Sequence, residues 1–331
     1  MAQETFVRRV RITGTGSYAP GRVVTNAELA GRVDTSDEWV KSRLGIAERR
    51  IAAPGERTSD LAVEAGRRAL ENAGVEASEL DMIIVATATP DRLAPATAPR
   101  VQHALGAKNA AAFDVNAVCA GFIYGLTVGA QFVGTGMSHK VLVIGADTFS
   151  RITDWGRRDC VFFGDGAGAA VLSHTGDDAG FLCSRLYADG SGYEAFTVPA
   201  GGSETPASPE TVSSGLHFYR MDGHKVYETA VEVIPQALRS VLSVSGLLPR
   251  DVDHVIPHQP SIRILEESAR RLDIPFERFH TNMDRYANTS SATIPLLLDE
   301  VNRKGLILPG QIVGFVAVGA GWAWGASILR W

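Results

Sequence analysis

Three residues of this chain have the types and settings that acyl-transfer chemistry uses. Cys119 comes shortly after AAFDV (111–115), which reads as a strand. It opens CAGFIYGLTVGAQFVGTG (119–136), apolar nearly all round and therefore a buried helix. A sulfur at a helix start meets unpaired amides and the positive end of the dipole, both of which favour a thiolate. Free cysteines are also common inert core residues, so Cys119 taken alone fits either role. His258, in PHQPS, ends the strand-like HVIPH (254–258), where catalysts and ligands gather in open α/β sheets. A satisfied structural histidine is the alternative. Asn288, in YANTSSAT (286–293), precedes another helix and suits a cap or turn as readily as a catalytic carboxamide. The Gly319-Ala320-Gly321 run closes a further strand, leaving backbone amides open to an oxyanion or forming a tight turn.

Other strings carry less. Cys160 and Cys183 complete an odd count without metal-ligand spacing, so no metal is expected. GTGSYAP (14–20) has no helix behind it. GDGAGAAVL (164–172) lacks a Lys-Ser/Thr ending and runs into a strand, so neither reads as a phosphate loop.

The elements that must position these residues repeat. AGVEASELDMIIV (73–85) and SGLLPRDVDHVIP (245–257) pair Gly74 with Gly246, Leu80 with Val252 and Asp81 with Asp253, each offset by 172. In both, a helix stops at a glycine able to take the left-handed cap and a buried strand follows. KVLVIGA (140–146) matches GFVAVGA (314–320) at an offset of 174. Two copies of one α/β unit are expected, residues 1–175 with the nucleophile and 185–331 with the histidine and asparagine. Adding 172 to 119 gives 291, beside Asn288; subtracting it from 258 gives Ala86, a strand end. Duplication therefore brings the three segments around one centre.

Helices are expected over 59–74 with Ser59 as N-cap, over 226–242 with a kink at Pro235, over 261–272, and over 292–305 with Pro295 in the first turn. Strands are expected over 82–88 and 111–115. Alternating β and α elements imply mostly parallel sheets covered by helices. Residues 188–215, rich in Gly, Pro, Ser and Thr, read as the link between halves together with a surface loop.

At 331 residues and 45% hydrophobic, the chain has ample material for a large core. No apolar stretch reaches the roughly 20 residues of a membrane span. MAQETFVRRVRITGTG lacks an apolar signal core, so a cytoplasmic protein is expected. Basic residues are mostly Arg and scattered, and the net charge is −5, which argues against nucleic acid as a partner.

Taken together, GTGSYAP (14–20), DTSDEWVKSRLGI (34–46), AFDVNAVCAGF (112–122), FGDGAGAAVL (163–172), PHQPSIRI (257–264), NTSSAT (288–293) and GAGWAWG (319–325) resemble the β-ketoacyl-acyl-carrier-protein synthase III family of the thiolase superfamily. The resemblance covers essentially the whole chain. It implies a thiolase-like five-layered αβαβα fold, internally duplicated, and a homodimer. It implies a decarboxylating condensation that loads an acyl-CoA starter onto Cys119 and extends it with malonyl, in fatty-acid initiation or polyketide priming. His258 and Asn288 become the decarboxylation pair, and the amides of Cys119 and Ala320 the oxyanion hole. Trp39 with Arg157 or Arg158 would hold the coenzyme A adenine, with Arg43 near its phosphates. Arg263, Arg270 and Arg271 would dock an acidic acyl carrier protein. No cofactor is implied beyond the thioester substrates.

Five positions depart from the family pattern. Val318 stands where Phe is typical, Ser261 and His224 where Asn residues contact the pantetheine arm, and Glu228 where a base meets the carrier protein. Ala94 stands where a bulky Phe closes the acyl pocket across the dimer, which predicts tolerance of larger starters. These departures keep a second reading open, an acyltransferase on the same fold that passes the acyl group to an alcohol, amine or carrier without condensation.

Overall fold

The computed structural model describes residues 10–331; the extreme N-terminal stretch 1–9, part of the expected first half and of the segment read for a signal, lies outside them. One sheet holds five strands, numbered in chain order β1 (Val10–Tyr18), β2 (Met82–Ala86), β3 (Ala111–Val115), β4 (Lys140–Thr148) and β5 (Asp165–His174), arranged β1-β5-β4-β2-β3. The second holds β6 (Gly180–Ala188), β7 (His254–Pro257), β8 (Ile312–Gly319) and β9 (Ala323–Arg330), arranged β7-β8-β9-β6. Pairing repeats between them. The central strands β4 and β8 each lie parallel to one neighbour (β2, β7) and antiparallel to the other (β5, β9). The counterpart of β3 is reduced to one parallel bridge between Val255 and Phe279.

Helices fill three layers around these sheets. Thr58–Ala73 packs on β1, β4 and β5 of the first sheet, and Gly223–Val244 on β6, β8 and β9 of the second, so each covers an outer face. Gly121–Gly134 and Thr293–Arg303 touch both sheets and form the middle layer. This is the duplicated αβαβα arrangement. The middle pair sits close because glycines face it. A Cβ on Gly145 would lie 2.2 Å from the Ser291 carbonyl oxygen, and one on Gly168 2.4 Å from the Leu296 nitrogen. The glycine string at 164–172 thus serves helix packing within a strand.

Several local expectations shift. The helix expected from Ser59 is capped by Arg57, whose N–H is accepted by Asp60 at 2.9 Å, while the Ser59 hydroxyl donates to Asp91. Strand β2 stops at Ala86 because Thr87–Thr89 turn away to the Asp147 carboxylate. The helix over 226–242 begins earlier, at Gly223, where Asp222 accepts from the His224 and Lys225 amides, and it runs on through Pro235. Between the two sheets the chain crosses at 175–179, not within 188–215. The latter stretch instead contributes a strand, Phe196–Thr197, paired with Arg220–Met221, which brings Phe196 to the wall of the central cavity. Gly, Ser and Pro there mark an insertion in the second half. Among the described residues, no helix is long and apolar enough to cross a membrane.

Candidate active site

A cavity of about 200 Å³ opens between the halves, its lining mostly apolar. Cys119, His258 and Asn288 all line it, with Val318, Gly319 and Ala320. Phe162, Phe163, Phe196 and Trp322 supply aromatic wall. Each polar side chain arrives on a segment that the duplication places there. Cys119 lies in the tight turn Val118–Ala120 ahead of the middle-layer helix, which is therefore shorter than the 119–136 expected. His258 follows β7, its N–H bonded to the Val316 carbonyl at 2.8 Å. Asn288 enters the turn ahead of Thr293–Arg303.

Backbone strain concentrates at these segments. Val118 (φ 46°), Ala287 (58°), Ser290 (54°) and Trp322 (45°) hold positive φ without being glycine. Such residues cost about 1–3 kcal/mol each and persist only where surrounding contacts over-determine them. Elsewhere Asp273 does so as the left-handed cap of Ile262–Leu272.

Contacts that over-determine the site come from groups the sequence reading did not single out. Asp147 is fully buried and accepts from Thr87 Oγ1, the amides of Ala88 and Thr89, Thr89 Oγ1, and the Ser291 amide and hydroxyl, at 2.7–3.1 Å. It ties the ends of β2 and β4 to the turn that carries Asn288. Ser290 N–H donates to Asn288 Oδ1 at 2.8 Å, which leaves the Asn288 amide hydrogens for the cavity. The Ser290 hydroxyl stands 3.7 Å from the Cys119 sulfur. Thr293 Oγ1 lies 2.8 Å from His258 Nδ1. Gly319 closes the arrangement, since a Cβ there would come 2.4 Å from the Ala117 carbonyl and 3.0 Å from the Cys119 nitrogen.

Burial sets the protonation states. Cys119 is half-buried, and enclosure of its sulfur pushes the thiol up to about 12. The Ser290 hydroxyl opposes that rise, the Asp147 carboxylate adds to it, and the Asn288 carboxamide opposes it more weakly. The expected bias toward a resting thiolate is thereby overturned, because desolvation outweighs the donors. Burial likewise lowers His258 to about 3, so its imidazole is neutral.

At the cavity mouth the candidate binding residues separate. Arg43 and Arg263 line it. The Arg158 guanidinium lies 4.4 Å over the Trp39 ring, whereas Arg157 is held by Asp159 at 2.8 Å. Ser261 lines the cavity but its hydroxyl accepts from the Ile264 amide as a helix cap. His224 points away, 80% exposed and paired with Glu228 at 3.1 Å, so it does not reach the cavity. Arg270 and Arg271 both bond Glu267, which they hold down at about 2. Ala94 is exposed and absent from the lining. Among the described residues, no cluster of three or more His, Cys, Asp or Glu is placed to hold a metal ion.

Comparison with known proteins matches residues 113–190 to the 3-oxoacyl-[acyl-carrier-protein] synthase III model and 242–331 to that family's C-terminal model. A β-ketoacyl-[acyl-carrier-protein] synthase III of Caldanaerobacter subterraneus subsp. tengcongensis is 52% identical over 97% of both chains. The chain belongs to the β-ketoacyl-acyl-carrier-protein synthase III family. Among solved structures, synthase III of Aquifex aeolicus superposes with a TM-score of 0.90 at 41% identity, covering 97% of this chain and 100% of that one. A priming β-ketosynthase from a polyketide pathway gives 0.90 at 34%, covering 99% and 98%. The thiolase-like fold and the decarboxylating condensation of synthase III are thus those of this chain, a condensing transferase.

Proposed function

We propose that Cys119 takes the acyl group from an acyl-CoA and that His258 and Asn288 drive decarboxylation of the malonyl thioester. The observation that carries this is one cavity lined by all three side chains, with Asn288 turned by Ser290 so that its amide hydrogens face inward. Cys119 attacks the thioester carbonyl as its thiolate, the carbon–sulfur bond to CoA breaks, and the proton given up by the Cys119 thiol leaves on CoA as its free thiol, the acyltransferase half of the reaction. Amides of Cys119 and Ala320 receive the oxyanion. Malonyl then releases carbon dioxide, and the enolate oxygen accepts from Asn288 and His258. Asn suits this place because it donates without titrating. The chemistry needs no metal or redox cofactor.

Recognition is assigned more coarsely. Trp39 and Arg158 hold the adenine, Arg43 the phosphates, and Ser261 and Val318 flank the pantetheine end. Arg263, with Arg270 and Arg271 about two turns along the same helix, docks an acidic acyl carrier protein. The enzyme acts as a homodimer in the cytoplasm. The edge position of β3 and the 85% exposure of Leu93, next to Ala94, support a subunit contact there. The duplicated halves meet at 175–179, so the second takes in β6 from Gly180 and begins ahead of the 185 expected. Ala94 leaves room for branched or longer starters.

Intact-mass measurement tests the core. Cys119 should gain the acyl mass from acetyl-, isobutyryl- and hexanoyl-CoA, and malonyl thioester should then release carbon dioxide and give a β-ketoacyl product. Loading without carbon dioxide release would favour the simple acyltransferase. Strict preference for acetyl would remove the role given to Ala94.

A further inference from the structure

We propose that Arg49 is a positioning residue that touches no substrate but holds Trp39 and Arg158 at the spacing that takes the coenzyme A adenine. The inference rests on the reading of Trp39 and Arg158 as the two faces of an adenine clamp. Arg49 lies on a short strand, Glu48–Ile51, paired antiparallel with Arg22–Thr25. Its side chain is fully buried, and among the described residues it has no carboxylate partner. Burial lowers the guanidinium to about 10, so it stays charged at neutral pH. A buried cation without a counter-charge is costly, and an apolar side chain would fill the same space more cheaply. Simple packing of the hairpin therefore gives no reason for an arginine at 49.

Its hydrogen bonds supply one. Arginine only donates, so the direction of each bond is fixed. One terminal nitrogen donates to the Val24 carbonyl at 3.1 Å and to Asn26 Oδ1 at 2.9 Å. The other donates to Asn26 Oδ1 at 2.9 Å and to the Val161 carbonyl at 3.0 Å, 112 positions away. Val161 ends the short turn Arg158–Val161, which carries Arg158. Asn26 passes the link on. Its Nδ2 donates to Asp37 Oδ1 at 3.0 Å and to the Ile46 carbonyl at 2.7 Å. Those acceptors stand at the start and just past the end of the helix Asp37–Leu44, which carries Trp39 and Arg43.

One guanidinium and one carboxamide thus tie the backbone under Arg158 to the backbone under Trp39, whose side chains meet at 4.4 Å. The planar fork reaches acceptors on both segments at once. A lysine ammonium, a compact point donor, does not span them.

Loading of Cys119 in the full-length enzyme is measured with acetyl-CoA and with acetyl-pantetheine, the same thioester without the nucleotide. The readout is the ratio of kcat/KM for the first to that for the second. Arg49→Lys should lower this ratio roughly two- to fivefold, the worth of one exposed stacking contact. Asn26→Asp gives the guanidinium a counter-charge but removes the donors to Asp37 and Ile46. It should lower the ratio in the same way, and it carries the test should Arg49→Lys fail to fold. Because Arg49 acts through the clamp, its loss combined with Arg158→Ala should fall short of the product of the two single losses. An unaltered ratio, equal losses with both thioesters, or losses that multiply would each overturn the proposal. An unaltered ratio in Trp39→Ala would instead remove the adenine clamp itself, whatever Arg49 does.

Discussion

The floor and the mouth of the cavity are built on opposite principles. At the floor, His258 and Asn288 are 2% and 6% exposed, and each polar atom turned away from the cavity has a fixed partner supplied by a strained turn. At and around the mouth, the charged side chains are more open and paired with one another: Arg157 with Asp159, and Arg270 and Arg271 with Glu267. Geometry at the floor is enforced by burial, where a displaced donor has nowhere else to bond. Exposed pairs are worth about 0–1 kcal/mol, so the mouth can exchange partners for a ligand at small cost. Substitutions should therefore act steeply and selectively at the floor, and shallowly at the mouth.

The steepest expected effect is at Asn288. Asn288→Asp keeps the shape but sets a carboxylate against the developing enolate. Carbon dioxide release should drop by about 10²–10³, while acyl loading of Cys119 falls far less. Equal losses in both half-reactions would mean that the floor does not divide its labour this way. Next comes Gly319→Ala, whose Cβ would press on the Ala117 carbonyl at 2.4 Å beside the Cys119 amide. Moving an oxyanion donor by a fraction of an ångström should slow loading and condensation together, by about 10². Circular dichroism would check that the fold survives, and an unaltered loading rate would remove that amide from the oxyanion hole.

Protonation offers a gentler test of the same contrast. Burial holds His258 near 3 and His280 near 4, both below the ordinary value of 6.5. Between those values an unfolded chain binds protons that the folded chain refuses, so stability rises with pH across the window. The contribution is complete above about 6.5 and is lost as the pH falls toward 4 and then 3. The Tm should accordingly be lower at pH 5 than at pH 7.5, and His280→Gln should flatten that slope. A steeper slope in His280→Gln would contradict it.

Much of this floor was legible in the sequence because duplication writes itself twice. The offset of 172 related β2 to β7 and placed Cys119 opposite the Asn288 turn, but the 174 read from KVLVIGA and GFVAVGA was two residues out of register: Met82 pairs with Val141 and His254 with Val313, so β4 and β8 also stand 172 apart. What was not legible joins distant residues through single atoms. Asp147 meets Ser291 across 144 positions, and nothing in KVLVIGADT marks that carboxylate as the peg of the site. Positive φ at Val118 is equally hidden, since a β-branched residue is the last that propensity would put there. The helix-start argument for Cys119 misjudged the sign of its shift because local sequence reports the dipole but not the enclosure. At the mouth, motif likeness brought Arg157 and Arg158 forward as a pair, and only coordinates separate them.

That pair gives the smallest expected effect and the sharpest use of the mouth. Arg158 covers Trp39 at 4.4 Å, while Arg157 is occupied by Asp159. An adenine entering between Trp39 and Arg158 would exchange one stacked contact for two. Exposed cation–π contacts are worth about 0.5–1 kcal/mol. Arg158→Ala should therefore raise KM for acyl-CoA roughly two- to fivefold with kcat unchanged, and Arg157→Ala should do less. Steady-state kinetics with the starter varied decides the order. A larger effect from Arg157→Ala would mean that the Asp159 pair opens on binding and that Arg157 is the stacking partner. A fall in kcat from either would couple the mouth to the floor, against the division of roles drawn here.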